Sequence, residues 1–247
     1  MGILDFLGGG TGPTKALKLK AKITQKYGDP VSRQKAIQQL GEMDFPEAVS
    51  VLLSRFTITV EPQTTDADEK EQTFELVRAR GAAGVPAVTD FLARTDLASS
   101  WAVRLLAVLL PEPEVVGILV AQLQTLAQGY TRNPEKRLVL LNWLAGKDDP
   151  RIAPAVLPFL EDMADDVRIA ALHTLGPVKY APAREPMLQL LTAPETGRRV
   201  QVAAVEALAE SGFGVQGFRE KVEALLPEAY FVDKAGVLKR RGAPEAS

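Results

Sequence analysis

Along most of the chain, apolar residues recur at i, i+3, i+4 and i+7. That spacing gathers one face of an α-helix. Arg33, Ala36, Ile37, Leu40 and Gly41 form one such run, and Arg168, Ala171, Leu172, Leu175 and Gly176 repeat it in register. The same frame fits Arg104 with Ala107 and Val108, and Arg137 with Leu140, Leu141 and Leu144. It also fits Leu76 and Val77 with Gly81, and Ala204 and Val205 with Leu208. The first positions of the frame are 33, 73, 104, 137, 168 and 201. Their spacing lies in the range of helical-pair repeats. Asp29, Asn133 and Asp165 stand where a side chain can cap the free N–H groups of a helix start. Gly or Pro breaks each helix, and a second apolar helix follows, opened by Pro46, Pro86 or Pro150. One helix pair of this length cannot bury its apolar face alone, whereas stacked pairs can, so the pattern predicts an α-solenoid over residues 29–228.

Three segments depart from this plan. Phe56, Thr57, Ile58, Thr59 and Val60 alternate with period two, which reads as a short extended insertion after repeat one. Its apolar side chains either pack on adjacent helices or leave an exposed edge for a partner strand. Glu61 and Pro62 end it, and residues 63–69 read as a polar loop. Residues 229–247 read as a β-hairpin cap with Gly236 late in its turn, then a disordered tail from Gly242. Lys239, Arg240 and Arg241 on the hairpin offer charge to an acidic partner.

The third departure is an N-terminal arm over residues 1–28. Residues 1–7 are apolar and residues 8–13 are a Gly-rich linker. Residues 14–27 read as a helix with Ala16, Leu19, Ile23 and Tyr27 on one face. Lys15, Lys18, Lys22 and Lys26 form an adjoining stripe.

Asp165, Asp166, Val167, Arg168, Ala170, Ala171, Leu172, Leu175 and Gly176 together resemble the HEAT-repeat pattern. The likeness covers residues 29–226. It implies a right-handed α-solenoid of about six helix pairs, in which Arg33, Arg104, Arg137 and Arg168 belong to a ladder of acids and arginines. The insertion over residues 56–71 and the turn over 130–136 also resemble a group of bacterial HEAT-repeat proteins. HEAT repeats serve scaffolds and several kinds of enzyme alike, so the resemblance bears on fold rather than activity.

Composition narrows the chemistry. The 247 residues include no cysteine and one histidine, His173. This excludes disulfide scaffolds, thiol nucleophiles and zinc–thiolate sites. Net charge is −2, but residues 1–28 hold five Lys and one Asp, which leaves the remainder acidic. No apolar run approaches the ~18 residues of a membrane span. No basic n-region precedes the short apolar start. A cytoplasmic protein is expected.

Motifs with chemistry fail on context. Gly212, Gly214 and Gly217 spell a dinucleotide-loop pattern, but a helix precedes them where a strand is needed. Asp66 and Asp68 lack the glycine and final Glu of a calcium loop. The acidic run over 161–166 reads as a turn plus helix cap. HEAT-fold hydroxylases use His-Glu pairs for iron, and Thr174 follows His173 here. His173 reads as a surface or groove-edge histidine, and Trp101 and Trp143 as core.

The expectation is therefore a non-enzymatic protein-binding scaffold or adaptor with no cofactor and no metal. Its second helices would line a concave face, with Arg55, Arg94, Gln122 and Gln189 as partner-binding candidates. Phe56, Ile58 and Val60 are candidates through the extended edge. Lys15, Lys18, Lys22 and Lys26 are candidates for an anionic membrane or a nucleic acid, the alternative function, with a HEAT-fold enzyme as the third reading.

Overall fold

The computed structural model describes residues 12–129 and 132–242. The expectations for residues 1–11, for Tyr130 and Thr131 and for the tail beyond Gly242 lie outside them. The described residues are mostly helical: α1 (Gly12–Ile23), α2 (Pro30–Gly41), α3 (Pro46–Leu53), α4 (Gln63–Arg78), α5 (Val85–Arg94), α6 (Ser99–Leu109), α7 (Glu112–Ala127), α8 (Glu135–Leu144), α9 (Ile152–Val156), α10 (Asp165–Leu175), α11 (Arg184–Thr192), α12 (Arg198–Ser211) and α13 (Arg219–Leu225). A hairpin of β1 (Tyr230–Val232) and β2 (Leu238–Arg240) follows. The fold is all-α, of the solenoid type, with a small C-terminal sheet.

Two compact units divide within α7, between Val115 and Val116. In the first, α2, α4 and α6 stack as one layer and α1, α3 and α5 as the other. Helix α1 is thus the end member of a layer, held by buried Ala16, Leu19 and Ile23. Its helix stops at Ile23, so Tyr27 leaves that face and is 91% exposed. In the second unit α8, α10 and α12 form one layer, and α11 packs against α13 and the 3₁₀ turn Leu157–Glu161.

The buried face follows the predicted frame in four helices. Ala36, Ile37 and Leu40 of α2 are buried, as are Leu140, Leu141 and Leu144 of α8. Ala171, Leu172 and Leu175 of α10 match them, as do Ala204, Val205 and Leu208 of α12. Helix α6 does not follow. Ala107 and Val108 are exposed, and the frame instead runs Ser99, Ala102, Val103 and Leu106, all buried. Arg104 therefore faces solvent. Its guanidinium lies 4.5 Å from the centre of the Trp101 ring and 4.7 Å from that of Phe74, a cation–π arrangement.

The frame's glycines mark close crossings. A Cβ on Gly41 would lie 2.5 Å from Cδ2 of Leu76 on α4. One on Gly176 would lie 3.0 Å from Cα of Ala207 on α12. In both units, a residue without a side chain lets the next layer helix approach.

Caps follow their chemistry. Asp29 Oδ2 accepts from Ser32 N at 2.9 Å at the start of α2, and hydrogen bonding to Ser32 holds its carboxyl below the usual range. Asn133 Oδ1 accepts from Glu135 N at 3.0 Å from one position outside the cap of α8, which Pro134 occupies. Asp165 is not a cap, because α10 already begins there and Ala164 occupies the cap position without a side-chain bond. Asp165 pairs with Arg168 one turn on.

Candidate functional site

The insertion after repeat one is not a strand. Ser54–Thr57 is a 3₁₀ turn, and residues 63–69, expected as a polar loop, are the first turns of α4. The polar pattern has a buried cause. Glu69 Oε2 accepts from Arg33 Nε and from Arg55 Nε, each at 2.8 Å. Arg55 also donates to Asp66 Oδ1 at 2.8 Å and to the Ile58 carbonyl at 3.2 Å. Asp66 Oδ1 accepts from Val60 N at 3.1 Å, and Oδ2 from Lys70 Nζ at 2.7 Å. Desolvation acts to raise the Asp66 pKa, but hydrogen bonds from Lys70, Arg55 and Val60 N outweigh it and lower the value.

This cluster withdraws three candidates from the outer surface. Arg55 is fully buried. Phe56 is buried and stacks on Trp101 with ring centres 4.8 Å apart. Val60 is buried, and Ile58 is half-buried. The period-two alternation arose because the segment turns through a 3₁₀ step and an extended residue while packing inward. The other candidates stay accessible. Arg94 is exposed and pairs with Asp90 at 2.7 Å. Gln189 is exposed and donates to Glu185 at 3.3 Å, and Gln122 is half-buried. Lys15, Lys18, Lys22 and Lys26 are exposed, though Lys26 lies beyond the end of α1.

A cleft of about 1110 Å³ lies in the second unit, and the sequence pattern did not place it. One wall is the C-terminal end of α10 with His173 and Pro177, together with Glu206, Ala207 and Glu210 of α12. The other is the hairpin, through Tyr230, Phe231, Asp233, Leu238, Lys239 and Arg240.

Local chemistry sets the hairpin. Asp233 Oδ1 accepts from Val237 N at 2.8 Å. Gly236 takes a φ of 83°. Only glycine adopts that conformation freely. Tyr230 pairs with Arg240 and Val232 with Leu238. Leu238 is fully buried, and β2 packs on α12. The turn between α12 and α13 joins in: Val215 N donates to the Gly236 carbonyl at 2.7 Å. Arg184 of α11 holds that turn by donating to the carbonyls of Gly214 at 2.8 Å and Gln216 at 2.7 Å. The glycine-rich residues 212–217 thus brace the hairpin, in a turn between helices as the sequence indicated.

The cleft's charges are unspent. Among the described residues, no ion pair engages Glu206, Glu210, Lys239 or Arg240. Burial raises the Tyr230 pKa above 10.0, Glu206 and Glu210 add to the rise, and Arg240 opposes it. Tyr230 is therefore held as a neutral hydroxyl, both donor and acceptor. The sequence offered two partial signals for this site: His173 at a groove edge, and the basic run on the hairpin. Nothing in the pattern pointed to Glu206 and Glu210, which are ordinary polar positions of an amphipathic helix.

Comparison with known proteins settles the repeat type. Residues 119–209, from α7 to α12, match the family model for HEAT repeats. Residues 119–209 carry HEAT repeats. The HEAT segment includes the α10 wall of the cleft and the α12 wall through Ala209, and the hairpin wall follows it. A solved structure of human deoxyhypusine hydroxylase, in complex with glycerol, is similar at 14% identity and a TM-score of 0.35, covering 86% of this chain and 95% of that one. No curated protein sequence matches. Among the described residues, no group of three or more His, Asp or Glu side chains could hold a metal ion. No helix among them is long and apolar enough to cross a membrane.

Proposed function

We propose that the chain is a non-enzymatic protein-binding scaffold, working in the cytoplasm, whose recognition site is the cleft between α12 and the C-terminal hairpin. The observation that carries this reading is the cleft's lining, built on the last HEAT repeat. Tyr230 and Phe231 offer aromatic anchors on one wall. Glu206 and Glu210 face them with unspent negative charge, and Lys239 and Arg240 flank them with positive charge. Tyrosine and arginine are among the residue types that most often dominate interface energies. The cleft's volume is about 1110 Å³. That is at the upper end of the ~300–1,000 Å³ range of ligand pockets and leaves room for a peptide side chain or two. HEAT stacks present extended surfaces of this kind to partners.

The test is crosslinked affinity capture from the native host with the tagged full chain and with a Glu206→Lys/Glu210→Lys variant. The parent chain should recover a protein in stoichiometric amount, and the variant should lose it. Equal recovery with both, or no protein partner, contradicts the scaffold role of the cleft.

A further inference from the structure

We propose that α1 is a docking face for an anionic lipid surface, a role separate from the cleft and independent of the protein-binding reading. Helix α1 carries Lys15, Lys18, Lys20 and Lys22 and no acidic residue. All four are exposed, and no ion pair among the described residues engages them. Its inner face is fixed by buried Ala16, Leu19 and Ile23 against α2 and α3, so the lysines cannot turn inward.

At about 100° per residue, the positions opposite the buried face are Thr14 and Ala21, with Leu17 and Lys18 each about 50° to either side. Lys20 lies on the Leu17 side, and Lys22 and Lys15 lie with Lys18 on the other. Leu17 is 63% exposed. An end helix of a repeat stack ordinarily presents a polar outer face. Here the exposed Leu17 stands between Lys20, about 60° to one side, and Lys18, about 100° to the other. That arrangement fits a bilayer interface: leucine enters the acyl boundary, and the lysine stems extend to anionic headgroups. Nucleic acid phosphates would use the lysines but give no role to Leu17. A second copy of the same face is excluded by like charge. Beyond the helix, Tyr27 is 91% exposed. Lys26 Nζ lies 5.8 Å from the centre of its ring. Tyrosine is a residue type suited to the headgroup zone.

The experiment is co-sedimentation of the full chain with phosphatidylcholine vesicles, with and without phosphatidylserine, beside binding to duplex DNA and single-stranded RNA. The variants are Lys18→Gln/Lys22→Gln and Leu17→Ser. All three positions are exposed, and circular dichroism verifies the fold. Binding should require phosphatidylserine and weaken with salt. It should fall about fivefold for each lysine removed and about tenfold with Leu17→Ser. Absence of phosphatidylserine-dependent binding overturns the proposal, as does binding indifferent to both variants. Nucleic acid binding through the lysines, unaffected by Leu17→Ser and without vesicle binding, also overturns it and assigns the face to phosphate backbones.

Discussion

Arg33 and Glu69 meet in the interior of the first unit, Nε to Oε2 at 2.8 Å, with both side chains about 1% exposed or less. Glu69 neutralises Arg55 at the same oxygen, so one carboxylate holds two buried guanidinium groups. Arg33 also donates to the Gly28 carbonyl at 3.0 Å, which ties the turn after α1 into the cluster. Substituting Glu69→Ala leaves two buried cations short of a partner. Breaking a buried pair in this way costs about 3–5 kcal/mol. Urea denaturation of the variant should show a loss of that size. Glu75→Ala, in an exposed pair, should change stability by less than about 1 kcal/mol.

Asp66 links the same cluster to pH. Its folded pKa is lowered below 3.8 because hydrogen bonds from Lys70 and Arg55 outweigh desolvation. A carboxyl with a depressed folded value contributes stability above its unfolded pKa and loses it as pH falls through the folded value. The contribution is therefore complete above about pH 4 and declines below it. Urea midpoints measured from neutral pH into the acid range should fall less steeply for Asp66→Asn than for the parent chain. Equal slopes would show that Asp66 has the same pKa folded and unfolded.

Gly176 holds α10 against α12, the helix that forms one wall of the cleft. A Cβ there would meet Glu210 Oε2 at 2.7 Å and Ala207 Cα at 3.0 Å. Overpacking of this kind costs about 1–3 kcal/mol. Gly176→Val should lower thermal stability by that amount and raise amide exchange in β2, which rests on α12. Substitution of Gly129, where an added Cβ meets nothing, should leave both unchanged.

Tyr230 reports the cleft's field. Its pKa is raised above 10.0 by burial first and by Glu206 second. An alkaline absorbance titration, with Tyr230→Phe subtracted to isolate this group, should place it above the ordinary tyrosine value. Glu206→Gln should bring it down. No change on Glu206→Gln would remove the carboxylate from the cleft's electrostatics.

Ala98 takes a φ of 60° just before α6. This left-handed conformation costs a non-glycine residue about 1–2 kcal/mol. Glycine relieves it but loses about 0.4–1 kcal/mol through the unfolded state. Ala98→Gly should therefore stabilise the chain by up to about 1.6 kcal/mol in thermal denaturation.

The apolar period found the stack because burial on one face of a helix is a local property of sequence. It failed where two solutions competed. Arg104 heads a run with Ala107 and Val108 that imitates the frame, yet α6 buries the face begun by Ser99, because Trp101 must reach Phe56 and Phe74. Residues 63–69 read as loop since Asp66 and Glu69 are acidic, and burial of an acid depends on distant arginines that no local pattern reveals. The hairpin was legible from its turn. The cleft was not, because it arises from β2 packing on α12, two elements separated in the chain by α13 and β1.

Binding of a protein partner between the last HEAT repeat and the hairpin is tested most directly by hydrogen–deuterium exchange of the full chain, with and without its captured partner. Occupation of the cleft predicts protection in α12 around Glu206 and Glu210, and in the hairpin from Tyr230 to Arg240. Protection confined to the first unit, or none in either wall of the cleft, would contradict it.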